Sequence, residues 1–509
     1  MAKKQKICIV VASVIAIICI ALMSVLLLTG GVSITGDGMY LKAFKAAAKN
    51  ADEISMEINY KNADHTLTVS QTTEYTNRTG GELTEIFFHT YANAYNIESD
   101  FPPVSLSDQA TAYPNGLSDG YLNIIDQIKM DGTAGMFQYE NKDKTILKVL
   151  LPTPLKEGKT AEIYIKYRIT LANVAHRLGF VGNTINLGSF YPVPAVFENG
   201  EWQVHEYSSN GDPFYNEIFN FDVEIETDTP FIIAHSGTSE EKTAEATREK
   251  HITASAIRDF AIVMSTDFKV LSAKSGDAMV NYFYILDKNP EASLKAAVDS
   301  VKTFSKTFCA YPYASLAVVE TPFLHGGMEY GALVYISNAV SEPAEYERVI
   351  VHEIAHQWWF GIVGNDQTRT AWIDEGLAEY SCFVFYKLNP EYKSYDAKKT
   401  IENLQNNIVA YQKIVSGVNG EFDRSMSRDI NEFNTPLEYV LATYSRGMLL
   451  FYNLSEIASF EKLNSGLSSF AKTNAFKFGT RENLVKALEK SCGTKLETYF
   501  EGWVSGASA

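Results

Sequence analysis

The chain has 509 residues, 46% of them hydrophobic, and a formal net charge of -17. That is enough apolar material for two or three domains with cores, and the acidic balance argues against a basic groove for nucleic acid. Five cysteines, Cys8 and Cys19 in an apolar N-terminal run and Cys309, Cys382 and Cys492 beyond it, are too few for a disulfide scaffold, so buried thiols are expected.

In chain order, Lys3, Lys4 and Lys6 precede residues 7–28, which carry no charge. That run has the length of a membrane-spanning helix, and the lysines assign the tail to the cytoplasmic side. A cleaved signal peptide usually has a shorter apolar region and a small-residue cleavage site, which Gly30-Gly31-Val32-Ser33 matches poorly. The expectation is a cytoplasmic tail (1–6), a transmembrane signal anchor (7–29), and all later residues outside the cell. Residues 30–53 read as a linker at 36–38 and a short Ala- and Lys-rich helix over 41–53.

From 54 to 272 the pattern is one of strands. Residues 55–60, 66–69, 85–89, 146–151, 161–166, 219–225, 230–234 and 260–265 alternate or run apolar over strand lengths, with turn pairs such as Gly80-Gly81 and Asn210-Gly211 between such segments. This predicts a β-rich sandwich or saddle domain without a catalytic constellation. Residues 273–509 read as a mostly helical second domain. A helix is expected from Asn289-Pro290 to Phe308, a strand over 316–320, glycines leading into an apolar strand over 326–336, and a helix start at Ser341-Glu342-Pro343. The fold class is α+β multidomain, with an N-terminal transmembrane helix.

The chemistry concentrates at 351–380. His352-Glu353-Ile354-Ala355-His356 is a complete H-E-x-x-H, and residues four apart on a helix share a face, so both imidazoles can reach one metal ion. A hydrolytic zinc site usually takes three protein ligands. Glu375, within Trp372-Ile373-Asp374-Glu375-Gly376, is the third candidate, brought back by a turn and a returning helix. His/His/Glu is the set expected of a peptide-bond hydrolase, and Glu353, not spent on the metal, is placed to take a proton from water. A chance pentad has odds of roughly 1 in 100 in a chain this long; the Glu375 spacing, the helical pattern and the upstream Gly-Gly-Met-Glu favour a metal site.

These residues, with Gly326-Gly327-Met328-Glu329 upstream and Thr443-Tyr444-Ser445-Arg446-Gly447 downstream, resemble the aminopeptidase N-like zinc peptidases, with their H-E-x-x-H-x18-E, Gly-Ala-Met-Glu-Asn and Tyr-x-Lys-Gly motifs. The resemblance covers about residues 50 to 505 and implies a β domain followed by a thermolysin-like catalytic domain. It implies one Zn2+ on His352, His356 and Glu375, with Glu353 as general base and then proton donor. Glu329 would bind the free α-amino group of a peptide. Gly326, Gly327 and Met328 would flank the substrate, and Tyr444 would donate to the oxyanion. Glu379, one turn after Glu375, would orient a histidine. Tyr439 is a weaker competitor for the catalytic role, His325 reads as a loop residue, and Trp358 and Trp359 as packing.

Three departures stand out. Tyr330 replaces the motif's Asn, Arg446 replaces its Lys, and the family's large C-terminal helical domain has no counterpart before Ala509, which suggests an open cleft or a protein partner in its place. The expected function is a membrane-anchored zinc aminopeptidase acting outside the cell on peptides with a free N-terminus. The rivals are an open-cleft endopeptidase on the same zinc site, a non-catalytic surface binding module, and, more remotely, epoxide hydrolysis as in the family's leukotriene-processing member.

Overall fold

The computed structural model describes residues 34–418 and 420–507. The first element is helix α1 (Ile34–Asn50), which begins before the expected linker at 36–38 and stops short of Glu53. Its end is set from outside: the Arg78 guanidinium donates to Asn50 O at 2.9 Å and to both Asp52 carboxylate oxygens, drawing Asp52 into the first strand.

The β-rich part is built on one large twisted sheet. Strands β1 (Asp52–Lys61), β2 (Thr66–Thr76) and β3 (Thr160–Thr170) pair antiparallel as neighbours. On the other side of β1, the sheet continues parallel into β5 (Phe219–His235), then antiparallel through β7 (Ala261–Ser265) to β4 (Thr184–Gly188), while β6 (Thr247–Ile257) also pairs with β5. Alternation explains the core face: Ile54, Met56, Ile58 and Tyr60 of β1 are buried. The two strands expected over 219–225 and 230–234 are one 17-residue strand. It changes partner from β6 to β7 across a register shift between Glu226 and Phe231. Pro230, which cannot donate, sits at that irregularity.

A separate five-stranded sheet has the order β8 (Lys269–Ser275), β9 (Ala278–Tyr284), β10 (Ser315–Thr321), β12 (Leu333–Ser337), β11 (Gly327–Tyr330). Strands β9, β10 and β12 run parallel, and β11 lies antiparallel at the edge beside the functional site. The single strand expected over 326–336 is therefore a hairpin, reversed at Gly331-Ala332, where Ala332 takes φ +58. Helices follow: α2 (Pro290–Thr307), α3 (Pro343–Ala355), α4 (Gln367–Thr370), α5 (Asp374–Leu388), α6 (Ala397–Gly417), α7 (Pro436–Val440) and α8 (Arg446–Ala458), then a C-terminal group to Val504.

The membrane expectation is corrected. Among the described residues no helix is long and apolar enough to cross a membrane. Even the alanine-rich α1 carries Lys42, Lys45 and Lys49. The tail 1–6 and the anchor read over 7–29 lie outside the described residues, as do Cys8 and Cys19. Within the described residues the structure thus gives no support to the transmembrane helix in the expected fold class or to the single-pass placement outside the cell. Cys309, Cys382 and Cys492 are buried and form no disulfide among the described residues.

Candidate active site

Helix α3 delivers the first two donors. Pro343 occupies its first turn, where a missing N–H is harmless, and Tyr346, Val349, Ile350 and Ile354 are buried along it. The helix ends at Ala355, and His356 caps it while keeping helical angles (φ -62, ψ -17). The four-residue spacing therefore still stacks the rings, with His352 Nε2 and His356 Nε2 3.1 Å apart. The chain then crosses a stretch fixed by Trp358, whose Nε1 donates to Cys309 O at 2.8 Å, and Trp359, whose Nε1 donates to Ser381 Oγ at 2.9 Å. Both rings are packing residues. Helix α5 returns with Glu375 in its first turn, and Glu375 Oε2 lies 3.3 Å from each histidine Nε2.

The three donor atoms thus form a triangle with edges of 3.1, 3.3 and 3.3 Å. Ligands about 2.0–2.1 Å from a tetrahedral zinc ion stand about 3.3 Å apart, so the spacing fits the ion. Glu375 Oε2 is buried and accepts no hydrogen bond among the described residues, an expense that a cation removes. The outer nitrogens are also placed: His356 Nδ1 lies 3.0 Å from Trp359 O, and His352 Nδ1 lies 3.2 Å from Glu379 Oε1. Arg348 donates to that same Glu379 oxygen at 2.9 Å and to Glu345 at 2.7 Å.

The triangle opens on a cleft of about 840 Å³, lined also by Gly326, Gly327, Glu329, Glu353, Tyr439 and Tyr444. Alternation along β11 sends Gly327 and Glu329 to the cleft and Met328 and Tyr330 away from it. Met328 is buried with its Sδ 3.2 Å from Arg177 Nε, so it is not brought to the cleft wall. The Tyr330 ring passes over Gly188 in the β-rich part, where any Cβ would collide with its hydroxyl. Tyr330 therefore leaves the cleft unaltered. Gly327 has a specific reason to be glycine: a Cβ there would run into Glu353 Cγ, Cδ and Oε1.

Tyr444 sits in a π-helical turn (Leu441–Ser445) between α7 and α8, with its ring stacked on His352 at 5.9 Å and 9°. Arg446 is elsewhere, buried with Nη2 donating to Trp503 O at 2.8 Å. Gly447 and Gly376 let α8 and α5 cross backbone to backbone, since a Cβ on either would strike the other's Cα.

The site is rich in buried carboxyl groups. Burial lifts the Glu353 carboxyl to about 7, against the pull of His352 and His356. Burial, with Asp212 and Glu375 adding repulsion, holds Glu329 well above the usual range. Burial and the nearby Glu375 likewise keep the Tyr444 phenol protonated.

Four contributors were not read from the sequence. Asp212, in the turn read at Asn210-Gly211, brings a carboxylate within 4.8 Å of those of Glu329 and Glu375. Arg177 pairs with Asp212 and donates to Gly211 O at 2.8 Å. Gln367 and Asp374 form a buried bridge behind Glu329. The only local sign was Gly211, whose φ of +52 and contact with the Tyr439 ring exclude a side chain.

A mixed sheet with an antiparallel edge strand is closed by a buried set of two imidazoles and one carboxylate that could hold a metal ion. Residues 292–503 match the model described as Peptidase family M1 domain. Over those residues the chain is similar to M1 peptidase domains and to aminopeptidase N-like relatives. It is 26% identical to rat (Rattus norvegicus) aminopeptidase N over 220 residues, covering 38% of this chain and 22% of that protein. With human (Homo sapiens) endoplasmic reticulum aminopeptidase 2 it shares 24% over 243 residues, or 44% and 24% of the two chains. The matched part thus spans about a quarter or less of those relatives. In fold it is similar to the M1 zinc metallopeptidase from Deinococcus radiodurans, with a TM-score of 0.63 at 16% identity over 90% of this chain and 94% of that one. It is also similar to yeast LTA4 hydrolase in complex with bestatin, with a TM-score of 0.61 at 15% identity over 89% and 67%.

Proposed function

We propose that the protein is a zinc-dependent aminopeptidase that removes N-terminal residues from peptides, its 273–509 region carrying the chemistry and its 54–272 region closing one wall of the cleft. The observation that carries this reading is the second set of carboxylates beside the donor triangle: Glu329 and Asp212 share one cavity with His352, His356 and Glu375. Asp212 is already paired with Arg177, so a hydrolase that cut within chains would leave the buried Glu329 carboxylate without a cationic partner, whereas a peptide's ammonium supplies one. In support, an M1 zinc metallopeptidase mutant of similar fold is known bound to a Tyr-ser-ala substrate.

His352, His356 and Glu375 would hold the ion, which when bound supplies a Lewis acid for the scissile carbonyl and for water. Glu353, with its carboxyl near 7, can accept a proton at neutral pH and return it to the leaving amine. Tyr444, held as the phenol, can donate a hydrogen bond to the oxygen on which negative charge develops. The edge strand β11 can pair with the extended substrate backbone while Glu329 fixes its amino end. Glu379, anchored by Arg348, would hold the His352 ring in register.

The test is one peptide in two forms, with a free and with an acetylated N-terminus. The free form should be cleaved at its first bond and the acetylated form at least 100-fold more slowly, about 2.7 kcal/mol of discrimination. Equal cleavage of both would establish an endopeptidase instead.

A further inference from the structure

Gln367 is buried at 1% exposure, behind the site and outside every motif read from the sequence. Its Nε2 donates to Glu329 Oε1 at 2.8 Å and to Asp374 Oδ2 at 2.7 Å. Asp374 is held on its other oxygen by Asn365 Nδ2 at 2.9 Å, and it precedes Glu375 in the first turn of α5. The Gln367 backbone N–H donates to Phe214 O at 3.2 Å, in the loop that presents Asp212. One residue thus ties together the amine-facing carboxylate, the start of the helix that bears Glu375, and the loop of the second carboxylate.

The amide orientation follows from its neighbours, since the opposite flip would set Oε1 against two carboxylates. In the orientation present, Oε1 is buried and finds no donor among the described residues. A buried amide oxygen left without a donor is a cost to the fold, so a glutamine placed for packing alone would be better replaced by an apolar residue. What the amide contributes is its two N–H groups. One occupies Oε1 of Glu329, leaving its other oxygen as the acceptor for the substrate, and the other, held by Asp374, fixes the direction in which the amide points.

We infer that Gln367 is a positioning residue for free-amine recognition, aiming Glu329 at the N-terminus of the peptide. This rests on the aminopeptidase reading above. With Gln367 replaced by an apolar residue, the Glu329 carboxylate is free to rotate, and the ammonium loses a prearranged partner. The loss falls on binding of the amino end more than on bond cleavage.

The experiment compares wild type, Gln367→Leu and the isosteric Gln367→Glu on the free and acetylated forms of one peptide, with bound zinc and Tm measured for each. The expected result is a KM for the free peptide raised about tenfold or more, the scale of a lost hydrogen bond to a charged group. kcat should change less than threefold and zinc content should be unchanged. The preference for the free over the acetylated form should shrink by the same factor as kcat/KM. A merely structural role would instead lower Tm and zinc occupancy or depress turnover of both forms alike. Variants that keep the wild-type preference, or that lose fold or metal in both substitutions, overturn the inference. A wild-type enzyme that cleaves both forms equally overturns the aminopeptidase reading itself, a separate outcome.

Discussion

Gly327→Ala should abolish most activity while leaving the fold intact. The added methyl collides with the Glu353 side chain at Cγ and Cδ as well as at its tip, so no rotation of the carboxylate alone relieves the overlap. Glu353 must leave its place beside the donor triangle, or β11 must retreat from α3. General-base catalysis contributes about 10²–10⁴-fold, so kcat should fall by about 100-fold at least, or about 2.7 kcal/mol in the barrier. Stability should not follow, because Gly327 does not take a positive φ, and an alanine there loses less entropy on folding. The neighbouring Gly326→Ala is the control: its Cβ meets only Val349 Cγ2 at 3.4 Å and Cγ1 at 3.9 Å, ordinary contacts. The assay is kcat on an aminoacyl-fluorogenic substrate for both variants, with bound zinc and Tm recorded alongside. Full turnover by Gly327→Ala, or equal losses in the two variants, would refute the placement of Glu353 argued above.

Glu353→Gln should lower kcat by about 10²–10⁴-fold at unchanged zinc content, and a variant as active as wild type would exclude Glu353 as base. Tyr444→Phe should cost about 10²–10³-fold in kcat with little change in KM, the signature of a donor used only when charge develops on the substrate oxygen; a pure KM effect would contradict it. Gly447→Ala sets a methyl against the Gly376 backbone, which cannot give way, and should destabilise by about 1–3 kcal/mol in urea unfolding; an unchanged midpoint would mean the α5–α8 crossing tolerates separation. His89 is buried, and burial, with His205 adding to it, holds its imidazole well below 6.5. Its folded pKa is thus below the unfolded one, so its contribution to stability is complete above pH 6.5 and shrinks as pH falls, by at most about 1.4 kcal/mol per pH unit. The decline of stability between pH 7 and 5 should therefore be shallower in His89→Gln than in wild type, and an identical slope would remove His89 as a cause.

The parts of the site that lie close together in the chain were legible. The pentad states its own geometry because helical spacing is fixed, and Pro343 marks where that helix begins. The convergence of Glu375 on the two rings followed from the return of one helix beside another. Legibility failed where partners are distant or where two local signals compete. Nothing near Asp212 or Arg177 says that they will meet Glu329, more than a hundred residues later. Gly331 was read as part of a strand because the apolar run continues through Leu333, although it is the bend of a hairpin. Tyr330 stood out as a departure from the motif's Asn beside Glu329; strand alternation turns its side chain away from the cleft. In 219–235 the proline that normally separates strands only marks a change of partner within one.

The π-helical turn at Leu441–Ser445 has a consequence for Tyr439 and Tyr444. On a regular α-helix, residues five apart point about 140° away from each other, and only one of the two tyrosines could face the cleft. A turn bonded from i to i+5 sets them one above the other, and both line the cavity. The spacing of two aromatic groups over the reacting atoms is thereby governed by a single surplus residue in the backbone. Removing that residue would let the helix relax to its ordinary pitch and swing one phenol out of the cavity without altering a single side chain in it.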